Sequence, residues 1–189
     1  MKKISVRAIC FTAMFAAIIS ALSILEIPTP WGVPFTLQTF AIALCGYVLG
    51  KKYGTIATGI YVILGAIGAP VYAGMSAGFG VLFGPTGGYI IGFIFMALFS
   101  GIAYDFFGKK NAAGVLLTIV FSLVGLAFCH GLGIIQLKNY YEMTWAAAAM
   151  AGTVPYLLKD IISMAVAFAL AVAVRKALRA ANLLDWEKK

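Results

Sequence analysis

From Tyr53 to Tyr104 the chain runs 52 residues without a formal charge, between Lys52 and Asp105, and nine glycines fall between Gly65 and Gly92. An uncharged apolar run of that length belongs in a membrane, yet glycine at that density does not sustain continuous helix. The reading that satisfies both demands is two membrane helices joined by an irregular loop at or near membrane depth. Such backbone is tolerated only where protein buries it or where it lines a cavity. The loop is therefore a candidate binding site before any motif is considered.

Composition excludes a soluble domain: 63% of the 189 residues are hydrophobic and 11% charged, with a mean hydropathy of +1.01. The expectation is a single-domain, all-α integral membrane protein spanning 1–189. The beginning of the chain has the basic end and apolar core of a signal peptide. The apolar run continues to Ile27 without a convincing small-residue cleavage site, so it is read as a retained first helix. Cys10, Cys45 and Cys129 lie on separate apolar segments and suggest neither a metal site nor a disulfide.

Charges and helix breakers predict six spans, at 6–27, 36–50, 54–67, 87–107, 112–135 and 155–179. The second and third are short, at roughly 22 Å of helix against a hydrocarbon core of ~30 Å. The proline-rich and glycine-rich segments beside them are expected to fill the missing depth. A partly re-entrant glycine-rich external loop then joins helices three and four.

Twelve of the fourteen basic residues gather on one side of this layout: Lys2, Lys3, Arg7, Lys51, Lys52, Lys109, Lys110, Arg175, Lys176, Arg179, Lys188 and Lys189. Lys138 and Lys159 fall on the other. Cytoplasmic loops are enriched in Lys and Arg, so both termini are expected in the cytoplasm. The net charge of +8 is then a topology signal and no argument for nucleic acid. The three external connections are long, and rich in proline and aromatics. A cavity lined by aromatics and a few polar groups suits a small molecule.

Within these connections Lys159 and Asp160 are the sharpest candidates, about one turn inside the last span behind Pro155. A charge inside a membrane segment costs at least ~2.5 kcal/mol and marks a functional site by default. The plainer alternative is a local ion pair, or a carboxylate resting on its own helix dipole. Gln38, Thr36 and Thr39 enter the second span; Thr36 suits an N-cap, whereas a buried Gln38 amide wants a partner such as a polar ligand. Trp31, Phe35, Tyr72, Phe79, Phe83 and Tyr89 are aromatic candidates for the same cavity, interfacial anchoring being the alternative. Gly84, Gly87 and Gly88 permit close backbone approach, with amides that can hold an anion.

His130, beside Cys129, has no visible companions and reads as a packing or hydrogen-bonded residue, not a metal ligand. The phosphate-loop likeness of 46–52 fails on spacing, on the missing Ser or Thr and on the absence of a preceding strand. Small residues recur at intervals of four, and Ala13, Ala17 and Ala21 on the first helix form a face that can pack on another membrane protein.

VPFTLQ at 33–38, GAPVYAG at 68–74, GPTGGY at 84–89 and VPYLLKD at 154–160, in that order within six spans, resemble the BioY family over essentially the whole chain. These are the biotin-binding S components of energy-coupling factor transporters. The resemblance implies high-affinity capture of biotin from outside by a multi-pass protein of a prokaryotic plasma membrane. It also implies a separate coupling transmembrane protein with two ATPase subunits, on which Ala13 and Ala17 dock.

Biotin's ureido N–H groups suit Asp160, its carbonyl suits Lys159 or Gln38, and its apolar ring and chain suit Phe79, Phe83, Tyr89 and Trp31. Its carboxylate suits Lys159 instead, or backbone amides with Thr36 or Thr86. No cofactor, metal or catalytic group is expected, biotin being bound as substrate. An importer for a different vitamin is the alternative, while a channel or an intramembrane enzyme is disfavoured by apolar inner span halves and by the scatter of reactive side chains.

Overall fold

The computed structural model describes residues 5–30, 32–108 and 111–184. Seven α-helices dominate: α1 (Val6–Ile24), α2 (Gln38–Ala66), α3 (Phe79–Phe83), α4 (Gly87–Phe107), α5 (Ala112–Tyr140), α6 (Trp145–Gly152) and α7 (Val154–Ala180). Of these, α1, α4, α5 and α7 are long and apolar enough to cross a membrane. The most apolar stretch of α5 has a mean hydropathy of 2.4 yet is mostly left unburied by the rest of the protein. Leu116, Ile119, Val120 and Leu123 on its outer face are exposed. Apolar surface on that scale is stable only against lipid or another protein.

The second and third expected spans form one element with a reversal in it. Helix α2 breaks at Gly50, whose φ of 76° and ψ of 174° lie in a region that essentially only glycine adopts. The arms 38–49 and 51–66 fold back on each other. Gln38 Nε2 reaches the Tyr61 hydroxyl at 2.8 Å, and a Cβ on Gly54 would stand 2.9 Å from the Gly46 Cα. The turn is thus tighter than the break expected at 51–53. Carbonyls freed near the break are taken up by Arg175 of α7, whose Nη1 donates to Tyr47 O at 3.0 Å and to Val48 O at 2.7 Å. The Arg175 guanidinium lies 4.0 Å over the Tyr104 ring. Arg175, counted from sequence among the basic residues of the cytoplasmic side, is 4% exposed: capping an interrupted helix outweighs hydration here.

Other elements depart from expectation in smaller ways. Residues 26–27 and 35–36 pair as an antiparallel ladder, Glu26 opposite Thr36 and Ile27 opposite Phe35. This ladder shortens α1 and delays α2 to Gln38. Thr36 does not occupy the N-cap position, which falls to Leu37, although its hydroxyl still accepts from the Gln38 amide at 3.3 Å. Helix α5 runs on to Tyr140, and the connection after it contains α6. The glycine-rich loop holds a 3-10 turn at Ala73–Met75 and the short α3. Tyr72, buried at its start, donates to Val62 O at 2.6 Å, and the Gly78 amide donates to Gly65 O at 2.7 Å. The loop is bound to the second arm of α2 at both points.

The bundle is organised around α2. Helices α1, α4 and α7 pack on it, α5 lies along α4, and α6 bridges α5 and α7. Helix α1 presents Ala8, Thr12, Phe15, Ala16, Ile19 and Ser23 inward at helical spacing.

Candidate functional site

At the end of the bundle away from Gly50, a cavity of about 600 Å³, counted with its open mouth, lies between the 33–39 segment, the glycine-rich loop, α4, α5 and the α6–α7 junction. Its wall is mainly apolar and aromatic, with Val81, Tyr89, Ile90, Phe93 and Tyr156 among the lining side chains.

Helix α7 starts with Pro155 in its first turn, which places Tyr156, Lys159 and Asp160 on successive cavity-facing positions. The Tyr156 hydroxyl donates to Val33 O, and its ring lies 4.5 Å from that of Phe35. These contacts fix the entry segment to α7. Lys159 Nζ donates to Thr36 O at 3.0 Å and stands 2.6 Å from Asp160 Oδ1.

Asp160 is 4% exposed. Its Oδ2 lies 3.0 Å from His130 Nε2, and its Oδ1, itself buried, is paired with the Lys159 ammonium. A carboxylate on a cavity wall has lone pairs enough to accept from a ligand N–H beside these two partners.

On the facing side, Thr36 Oγ1 donates to Gln38 Oε1 at 2.9 Å while Gln38 Nε2 is held by Tyr61. Tyr89 spans the cavity floor and donates to Gly152 O at 2.8 Å. Its ring runs so close to Gly133 and Gly152 that a Cβ at either would collide with it. Gln136 of α5 donates to Leu82 O at 2.7 Å and to Gly84 O at 2.6 Å, tying down the end of α3.

Thr36, Gln38, Thr86, Tyr89, Lys159 and Asp160 thus meet in one cavity, with Thr39 and Tyr72. Phe79 and Phe83 are not among its lining residues: they are 61% and 77% exposed on the outer side of α3, and Val81 faces in instead. Trp31 lies outside the described residues. Ala13 and Ala17 are exposed on α1, away from the cavity. His130 has the companions that sequence did not reveal, Asp160 and Thr153. A lone polar ring in an apolar helix was the available signal for it. Tyr61, Tyr156 and Gln136 carried none that sets them apart from interfacial or packing residues.

The fold and site define an integral membrane substrate-binding protein. Residues 1–180 match the model of the BioY family, and the chain belongs to that family. It is 39% identical over 170 residues to the biotin transporter BioY of Thermotoga maritima, covering 90% of this chain and 96% of that one. With biotin transporter BioY2 of Lactococcus lactis it shares 32% identity over 96% of its own length and 97% of the other. The crystal structure of an S-component for biotin from an ECF-type ABC transporter superposes with a TM-score of 0.78 at 27% identity, over 90% of this chain and 92% of that one. The family is one of transporter components, not enzymes.

Proposed function

We propose that this protein captures biotin with high affinity from outside a prokaryotic plasma membrane, and brings about its uptake as the substrate-binding subunit of an energy-coupling factor transporter. The observation that carries the reading is the buried Asp160 carboxylate, held by Lys159 and His130 on the wall of a mainly apolar and aromatic cavity. A ureido ring supplies the N–H donors that such a carboxylate accepts. Lys159 or Gln38 then donates to the ureido carbonyl. The thiophane ring and valeryl chain pack on Tyr89 and its neighbours, and Thr36, Thr86 or Lys159 meets the carboxylate. Phe79 and Phe83 belong to a lid that the glycine-rich loop forms over bound ligand, not to the resting lining.

In this account the chain crosses the membrane six times, the two arms of α2 serving as short spans completed by the 26–36 ladder and the glycine-rich loop. The basic ends face the cytoplasm. Energy comes from a separate coupling transmembrane protein with two ATPase subunits, for which the exposed Ala13 and Ala17 on α1 offer a close-packing face. No cofactor enters the scheme, biotin being substrate. The test is a titration of purified protein with biotin, followed by tryptophan fluorescence, with thiamine as competitor. Saturable binding at about one biotin per chain that thiamine does not displace is expected; displacement by thiamine, or no biotin binding, would assign the cavity to another vitamin.

A further inference from the structure

His130 is the chain's single histidine, 7% exposed, and both ring nitrogens are engaged by protein. Nε2 lies 3.0 Å from Asp160 Oδ2 and Nδ1 lies 3.1 Å from Thr153 Oγ1. With both nitrogens committed, the imidazole has no hydrogen bond to offer a ligand. Its influence on the cavity runs through Asp160.

Thr153 supplies an independent sign. It closes α6 and stands at the N-cap of α7, with φ −130° and ψ −56°. A threonine there normally turns its hydroxyl back to accept an amide of its own helix. No such cap forms, and the hydroxyl faces His130 instead. A carboxylate can only accept, so Nε2 carries a proton, and a hydroxyl can donate to an unprotonated Nδ1. The same arrangement orients histidines at metal and catalytic sites, where the outer partner selects the tautomer.

We propose that His130, fixed as the Nε2–H tautomer by Thr153, is a positioning residue of the ligand site: it clamps Asp160 Oδ2 and so orients the carboxylate on the cavity wall. The proposal rests on the biotin reading above. It also explains how α5, the α6–α7 junction and α7 are brought to one point.

Because there is one histidine, ¹⁵N-histidine labelling yields one imidazole signal set, and the tautomer can be read directly alongside biotin titrations of variants. The parent protein is expected to show a protonated Nε2 and an unprotonated Nδ1. His130→Phe is expected to weaken biotin binding about tenfold, the order seen when an orienting partner is lost. His130→Gln should restore most of it, since its amide N–H can stand where Nε2–H stood. Thr153→Val should weaken binding and mix the tautomers, and Thr153→Ser should do neither. A proton on Nδ1 in the parent protein, or unchanged affinity in His130→Phe, would overturn the proposal. If His130→Phe does not fold, Thr153→Val decides, because it leaves the imidazole in place: unchanged affinity and tautomer would count against it. Failure of the parent protein to bind biotin overturns the functional reading itself, whereas tight binding by parent and variants alike overturns only the positioning role.

Discussion

Among the described residues two charged side chains of Asp, Glu, Lys or Arg are buried, one toward each end of the bundle, and their surroundings differ in kind. Arg175 donates to two main-chain carbonyls and covers an aromatic ring, all within the protein. Asp160 is braced by Lys159 and His130 on the wall of a cavity. The difference teaches that burial of a charge in an apolar bundle does not by itself indicate function. What matters is whether the buried group faces only the fold or also space that a ligand can fill.

If the Gly50 end is structural and the other end is for binding, substitutions should separate the two properties. Arg175→Met leaves the Tyr47 and Val48 carbonyls without their donor and should cost about 3 kcal/mol of stability. Biotin affinity of the folded protein should stay within about threefold; thermal unfolding in detergent and a binding titration check the two halves. Gly50→Ala should cost about 2 kcal/mol by the same assay, since its φ and ψ are closed to an L side chain. At the cavity end, Gly133→Ala drives a methyl into the Tyr89 ring. About a tenfold loss of biotin affinity is expected, with a smaller loss of stability. The smallest effect is expected of Gln136→Leu. Releasing the Leu82 and Gly84 carbonyls should speed limited proteolysis within 79–84 and weaken biotin binding about threefold. Equal losses of stability and binding in all four variants would dissolve the contrast.

Much of the layout was legible because membrane solvation leaves few solutions. The uncharged run with its glycines foretold two helices joined by an irregular loop, and over that run the structure has the second arm of α2, then a stretch with a 3-10 turn and the short α3, then α4. Lys159, Asp160, Gln38 and Thr36 stood out as polar groups at the entries to apolar spans, Tyr89 as an aromatic behind a glycine-rich turn and Thr86 as a contact for a ligand carboxylate, and all six line one cavity. Facing direction on a short helix was not legible: α3 spans five residues, too few for periodicity to tell Val81 inward from Phe79 and Phe83 outward. The 26–27 and 35–36 ladder is equally short, and its prolines and glycine read as loop. Arg175 was hidden by its neighbours, since within a basic C-terminal stretch nothing marks which cation turns inward to a broken helix. The His130 partnership is non-local, joining residues 23 and 30 positions apart, and no local pattern encodes it.

The most direct test of the central claim is a side-by-side equilibrium titration of the parent protein and Asp160→Asn with biotin, with thermal unfolding of both as a control. The account predicts that the variant folds and inserts normally but loses about a hundredfold in affinity, as expected when a buried charged acceptor is lost. Equal affinity in the two proteins would remove Asp160 from the site and contradict the account.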